Sequence, residues 1–563
     1  MRLIKTRAFL EREQMMSEGK KVDHRAKVLE LHDDESTSYA ILSHRWTDLE
    51  VDYEEIVGLA KMDEEDRDEI RQRPGYKKIQ ETCQQAKKDG YEWVWVDTCC
   101  IDKRSSAELS EAINSMYRWY ENSRVCYAYL YDVSGSSFPT EPNTTAYPKF
   151  GGWPEWFSRG WTLQEMIAPR IVRFFNTSWQ PIGDKQALAP TLLQITRIPE
   201  HILTGGLQSG NRPCVAQIVS WAANRTTTRV EDRAYSLMGL LDVNMPMLYG
   251  EGKKAFHRLQ LEIIRVSNDQ SIFAWGHDSK TVRPGNILAD DPSFFEGCSE
   301  MVPMDYDEFL KLCPHYEKGD DTSGVFLITN RGIQVWMPLR SYYLGYEDSP
   351  VVKALLPCYS CPNAEEPVSI NLIWQNSNYY KYSSASPSGL HARGSLEFCK
   401  VYLRYQDTLN DSVTFEIDDS AIIENGFTCS NVSFPECTRN SLSLTGTSRP
   451  CVKVYTNNDV RFAVAFGQYF GQDWVHVLKH PPLVFDEEDL MFRGQELTPL
   501  MAHMPLLRTR KLDYSWVYHI CLPGSAWIVQ TSRTVLTKTR IGIKMKMFQD
   551  FFHHDSLDEW RLL

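Results

Sequence analysis

No apolar run in the 563 residues approaches the roughly 18 needed to cross a bilayer, so no membrane span is expected. The opening 21 residues carry a charge every few positions and lack the apolar stretch of a secretory leader. Basic excess is missing too. A formal charge of −13 argues against a surface built to track phosphates, and no nucleic-acid partner is expected. There is no glycine-rich phosphate loop, which excludes a built-in triphosphate switch of that kind. The 14 cysteines are scattered rather than spaced as a small disulfide frame, which points to free thiols in a reducing, cytoplasmic setting. Cys99 and Cys100 are adjacent, and Cys358 with Cys361 is one pair without a second half, so no metal site is expected. Internal repeats and long low-complexity tracts are also absent.

What is present begins with length, which implies two or three folding units. Residues 1–38 read as polar and irregular, apart from a short strand at 27–31. Tyr39, Ala40, Ile41 and Leu42 then form an apolar run ending in Ser43, His44, Arg45 and Trp46, the pattern of a strand buried on both faces. An acidic insertion follows, read as an exposed helix or loop over 54–73. Tyr76, Ile79, Cys83 and Ala86 recur at helical spacing, with Gly90 where a helix would stop. The run at 93–96 is a second strand, ending in Asp97 and Asp102. Ser105 and Glu108 have the spacing of a capping box for the next helix. A third strand covers 125–131, and a fourth 171–175.

Between the last two lies W-P-E-W-F-S-R-G-W-T-L-Q-E-M-I-A-P, residues 153–169. Trp161 and Glu165 are four apart and share a helix face, and Pro169 stops that helix. Trp156, Trp161, Leu163, Met166 and Ile167 also suit a plain core stripe, with Glu165 solvated or paired; the pattern leaves both readings open. Strand and helix in alternation predict an α/β fold, an open parallel sheet with helices on both faces. In such sheets the loops after the strands gather on one edge, where ligands bind. Ser43, His44, Arg45, Asp97, Asp102, Asp132, Arg159 and Glu165 are therefore expected to converge there.

Residues 181–277 read as a helical extension and 278–324 as a linker. Within the extension, the alternating signs of Arg229, Glu231, Asp232 and Arg233 suggest a solvated salt-bridge lattice. From 325 to 563 short β-branched and aromatic segments between turns predict a mostly β domain, a sandwich or a curled sheet.

Four stretches, Y-A-I-L-S-H-R-W at 39–46, W-V-D-T-C-C-I-D-K at 95–103, E-A-I-N-S-M at 111–116 and S-R-G-W-T-L-Q-E at 158–165, resemble the fungal heterokaryon-incompatibility (HET) domain. T-R-V-E-D-R-A-Y-S-L-M-G at 228–239 and M-P-M-L-Y-G-E-G at 245–252 resemble the region that follows it in vegetative-incompatibility proteins. The resemblance places the HET domain at 1–180, with a core of about 36–180. It implies an effector of non-self recognition that triggers cell death, acting with a protein partner or as a homo-oligomer through this domain. Residues 158–166 are also similar to the third helix of plant Toll/interleukin-receptor (TIR) domains, which implies a flavodoxin-like, TIR-like sheet. Thr162 stands where the plant pattern has cysteine, and the loop after Asp97 lacks the usual glycine. In TIR domains that cleave NAD the helix glutamate faces the nicotinamide ribose, and by position that residue is Glu165. A carboxylate there suits the cation left when the ribose loses nicotinamide. On this reading NAD is a substrate and no resident cofactor is required. Ser43, His44, Arg45, Asp97, Asp102 and Trp161 are the residues expected around it. His44 equally suits a structural role, and Asp97 and Asp102 equally suit capping or pairing with Lys103. The alternative is a non-enzymatic signalling module that uses the same surface.

Overall fold

The computed structural model describes residues 1–20, 27–208, 212–277, 286–312, much of 325–478 in shorter stretches, and 516–522, 527–537 and 540–549. It opens with strand β1 (Arg2–Lys5), helix α1 (Thr6–Ser17) and strand β2 (Leu29–Leu31). β2 falls within the strand expected at 27–31, while β1 and α1 correct the otherwise irregular reading of 1–38. Leu3, Ile4, Phe9 and Met16 are buried, and their spacing is hidden in the sequence by the charges between them.

β3 (Tyr39–His44) is buried along its whole length. The acidic insertion forms α2 (Tyr53–Gly58) and α3 (Glu64–Gln72) and runs into α4 (Pro74–Lys88). Gly90 takes the left-handed conformation that ends α4, with φ +85°. β4 (Trp93–Trp95), α5 (Ser106–Asn122) and β5 (Val125–Tyr129) follow. The capping box is half realised: Ser105 Oγ accepts from Glu108 N, but Glu108 Oε1 accepts from Asp102 N. Then come α6 (Thr162–Ile167), β6 (Val172–Phe175) and β7 (Pro181–Asp184).

These strands make one seven-stranded sheet in the order β2-β1-β4-β3-β5-β6-β7. β4, β3, β5 and β6 are mutually parallel. β1 and β7 pair antiparallel on either side, so the sheet is mixed rather than wholly parallel as expected. β7 also corrects the all-helical reading of residues from 181: Pro181 opens it and Gly183 interrupts it, both poor strand signals. The path leaves β3 for β4 on one side and returns past β3 to β5 on the other. Right-handed crossovers then put α4 and α5 on opposite faces. α1 packs on α4, and α6 on α5.

The extension is helical after β7: α7 (Ala189–Thr196), α8 (Glu200–Gly205), α9 (Val215–Ser220), α10 (Asp232–Tyr235) and α11 (Lys254–Val266). The expected salt-bridge lattice is instead a set of ties to the 245–252 loop and beyond. Glu231 Oε1 accepts from the backbone of Gly250 and Gly252, Asp232 from the Tyr249 hydroxyl, and Arg233 grips Asp291. Residues 278–285 and 313–324 of the expected linker lie outside the described residues. Its middle, 286–312, carries short helical segments, and Phe295, Cys298 and Met301 are buried in the core.

The β region has two parts. In the first, Ile333–Leu344, Glu397–Leu403, Asn378–Ser383, Pro367–Gln375 and Glu347–Tyr359 pair in sequence, and the last pairs back with the first, closing a ring. In the second, a six-stranded and a four-stranded sheet share a separate core, with Phe415 and Phe466 in contact across it. Curled sheet and sandwich are thus both present. Trp527–Thr537 is one strand of the six-stranded sheet. One cluster of buried side chains holds residues from Leu3 to Leu403, so the first ring shares its core with the N-terminal layers.

Candidate functional site

The winding of the sheet reverses between β3 and β5, so the loops after them part at the strands' carboxyl ends, the place where sheets of this kind form a ligand crevice. Three side-chain groups meet there. The deepest is Ser43 with Glu165 and Trp156. Ser43 Oγ donates to Glu165 Oε2 at 2.5 Å and accepts from Trp156 Nε1 at 2.9 Å. Ser43 is fully buried, and Glu165 is 6% exposed. Burial first, then the Asp97 charge, pushes the Glu165 carboxyl up to about 8. At neutral pH it is therefore mostly a neutral acid.

His44 heads the second group. Its Nε2 lies 3.7 Å from Glu50 Oε2 and 3.9 Å from Asp97 Oδ1, and neither ring nitrogen makes a hydrogen bond. Burial pushes the imidazole toward its neutral form. Against the penalty of its own burial, His44 and Lys78 hold Glu50 well below the usual carboxylate range. Since His44 is driven neutral, the Lys78 ammonium seated on Glu50 is the larger influence. Asp97 Oδ2 accepts from Trp46 Nε1 at 2.7 Å, and Lys103 Nζ sits 3.8 Å above the Trp46 ring.

The third group forms the rim. Arg45 Nη2 lies 3.1 Å from Glu155 Oε1, and its Nη1 donates to the Tyr131 hydroxyl at 3.0 Å, which in turn donates to Glu155. Asp132 Oδ2 accepts from the backbone N–H of Glu155 at 2.8 Å, fixing the 155–158 turn over the crevice.

Of the residues expected from sequence, Ser43, His44, Arg45, Asp97 and Glu165 gather at this edge. Asp102 does not join them: Arg104, two residues on, takes both of its oxygens at 2.9 and 3.0 Å. Trp161 immediately precedes α6 and packs half-buried beside Asp232 of the extension. Sequence reading missed Glu50, Lys78, Tyr131 and Glu155 as members. Nothing in the sequence sets Glu50 or Lys78 apart from a surface charge, and only Glu155's place between two tryptophans is a signal.

α6 is short and is held from outside. Thr162 Oγ1 donates to Trp156 O at 2.6 Å, and Arg225 Nη1 donates to Thr162 Oγ1 at 3.0 Å and to Arg159 O at 2.9 Å. Thr226 N donates to Ser158 O at 2.6 Å, and Gly160 N to Thr226 O at 2.9 Å. The extension thus clamps the segment that carries Glu165. In this closed arrangement a dry, neutral carboxyl can exchange a proton but offers no charge to a cation.

Residues 39–150, which span β3 to β5 and the loops forming much of this edge, match the family model described as heterokaryon incompatibility protein (HET), so the chain carries a HET domain. Glu165 lies beyond that match. Residues 254–296 match a domain of unknown function (DUF8212). The chain is 41% identical over 266 residues to vegetative incompatibility protein HET-E-1 of Podospora anserina. That similarity covers 45% of this chain and 18% of the relative, so the chain spans under a fifth of the curated protein it matches. No solved structure gives a significant match. The resemblance read from the 39–46 and 95–103 motifs is borne out. No helix among the described residues is long and apolar enough to cross a membrane.

Proposed function

We propose that this protein is a cytoplasmic effector of heterokaryon incompatibility whose HET domain triggers cell death through its strand-end edge. The matched domain and the similarity to HET-E-1 support the first half. The observation that carries the second is the Ser43–Glu165 pair at the floor of the crevice between β3 and β5. The strand order β4-β3-β5-β6 is that of flavodoxin-like sheets, which supports the TIR-like reading of the domain.

Two uses of that edge follow. In the first, the edge docks a protein partner, and burial of Glu165 under Trp156 favours this use for the isolated chain. In the second, self-association withdraws Trp156 and Ser43, Glu165 ionises, and its carboxylate stabilises the ribosyl cation formed as the C1′–N bond of NAD breaks with its electron pair going to nicotinamide; water then adds to C1′ and releases a proton. No resident cofactor is needed for that step, and loss of NAD would be the lethal event.

Purified chain incubated with NAD at rising protein concentration, with free nicotinamide as readout, separates the two. Release that grows with self-association and is lost in Glu165→Gln supports cleavage. No release at any concentration, together with undiminished toxicity of Glu165→Gln on overexpression, leaves docking and discards the chemistry.

A further inference from the structure

Arg225 is 3% exposed, and all of its partners are neutral: Trp221 O at 3.2 Å from Nε, and Arg159 O and Thr162 Oγ1 from Nη1. Among the described residues no carboxylate forms an ion pair with it, and Nη2 makes no hydrogen bond. The one charge acting on it is that of Glu165, which lies beyond ion-pair distance and is mostly protonated, so the buried guanidinium has no close counter-charge, and a cation left so is costly. Its neighbour Arg233 shows the contrast, with Nε at 3.1 Å and Nη2 at 2.6 Å on the two oxygens of Asp291.

Arg225 lines an open groove of about 450 Å³, together with Thr226, Thr227, Arg233, Lys253 and Asp291. That volume is within the roughly 300–1,000 Å³ usual for small-ligand sites. Asp291 is the one acid lining it and is already spent on Arg233. Lys253 is exposed at its lip and has no ion-pair partner among the described residues. Two cations without a close ion pair among the described residues, one buried and one exposed, therefore line the same space.

We propose that this groove binds the oxyanion group of a small ligand, a phosphate or a carboxylate, seated on Arg225 and covered by Lys253. The site is coupled to the crevice, because the guanidinium that receives the anion also holds the Arg159 carbonyl and the Thr162 hydroxyl at the head of α6. Ligand occupancy is thus felt by the helix that carries Glu165. The proposal stands whether or not Glu165 acts on NAD.

The test is the unfolding midpoint of the full chain in sodium pyrophosphate and in citrate, against sodium chloride at matched ionic strength. Wild type should show a saturable rise of about 2 °C or more. A response to pyrophosphate alone assigns a phosphate ligand, and a response to both assigns oxyanions generally. Arg225→Met, an apolar replacement of similar length, should fold and lose the response. Lys253→Ala should weaken it about threefold, and Lys253→Glu should abolish it, which decides the matter if Arg225→Met fails to fold. A wild-type response no larger than that of chloride, or Arg225→Met and Lys253→Glu responding like wild type, overturns the site. Hydrogen exchange over 156–167 should slow when the groove is filled; unchanged exchange at saturation overturns the coupling.

Discussion

Ser43 Oγ and Glu165 Oε2 lie 2.5 Å apart across 122 residues of chain, and the Trp156 indole closes over them by donating to the same hydroxyl. Removing that hydroxyl strands two buried polar groups at once. Ser43→Ala should cost about 2–3 kcal/mol, since an unmet buried donor or acceptor costs about 1–3 kcal/mol. It should also raise the Glu165 carboxyl further, because the serine bond favours the ionised form. Urea unfolding and carboxyl NMR read the two effects; a wild-type urea midpoint would mean the pair does not hold the edge.

The pH dependence has a definite sign. Glu165 is pushed up to about 8 in the folded chain, against about 4.3 for a free glutamate. Between these values the folded state holds more protons than the unfolded one, so the contribution is complete below about pH 4 and is lost as pH rises toward 8. The slope is at most about 1.4 kcal/mol per pH unit. Glu165→Gln should remove it, so the stability difference between variant and wild type grows from pH 5 to pH 8. A constant difference across that range would show that the carboxyl titrates normally.

Lys381 is fully buried and donates to the carbonyls of Phe273, at 2.7 Å, and Trp275, at 2.5 Å, with the Trp275 ring 3.8 Å away. It ties the β ring to the end of the helical extension. Lys381→Met relieves a buried charge but leaves two carbonyls unmet, and a net loss of about 2 kcal/mol is expected. Hydrogen exchange should quicken around residues 270–275 and 378–383 together. Quickening on one side alone would show that the tie does not couple them.

Gly160 has no room for a side chain, because an added Cβ would come within 2.5 Å of Thr227 Cγ2. Gly160→Ala should therefore push the extension's clamp off α6 and cost about 1–3 kcal/mol. Thr227→Ser removes the offending methyl, so the double variant should recover most of the loss. Additive losses in that cycle would place the strain elsewhere.

Much of the core was legible because its signals are local. Uninterrupted apolar runs gave β3 and β4, a stripe at helical spacing gave α4, and the Ser105–Glu108 spacing gave the start of α5. The edges were not legible. β1 has only Leu3 and Ile4 between charges, and β7 starts on proline, so what makes each a strand is the neighbour it pairs with. Likewise, similar short strands close into a ring before residue 405 and stack as two sheets after it, a difference that lies in long-range pairing.

At the crevice the same division holds. The chain order of strand and helix was enough to bring Ser43, His44, Arg45, Asp97 and Glu165 to one edge, because parallel strands deliver their ends to the same side. Local chemistry withdrew Asp102 to Arg104, and packing turned Trp161 toward the extension. Whether Glu165 meets solvent, what charge it carries, and that Arg225 reaches α6 from 63 residues away were decided only by tertiary structure. Burial and proximity belong to atoms distant in sequence, and no window of residues contains them.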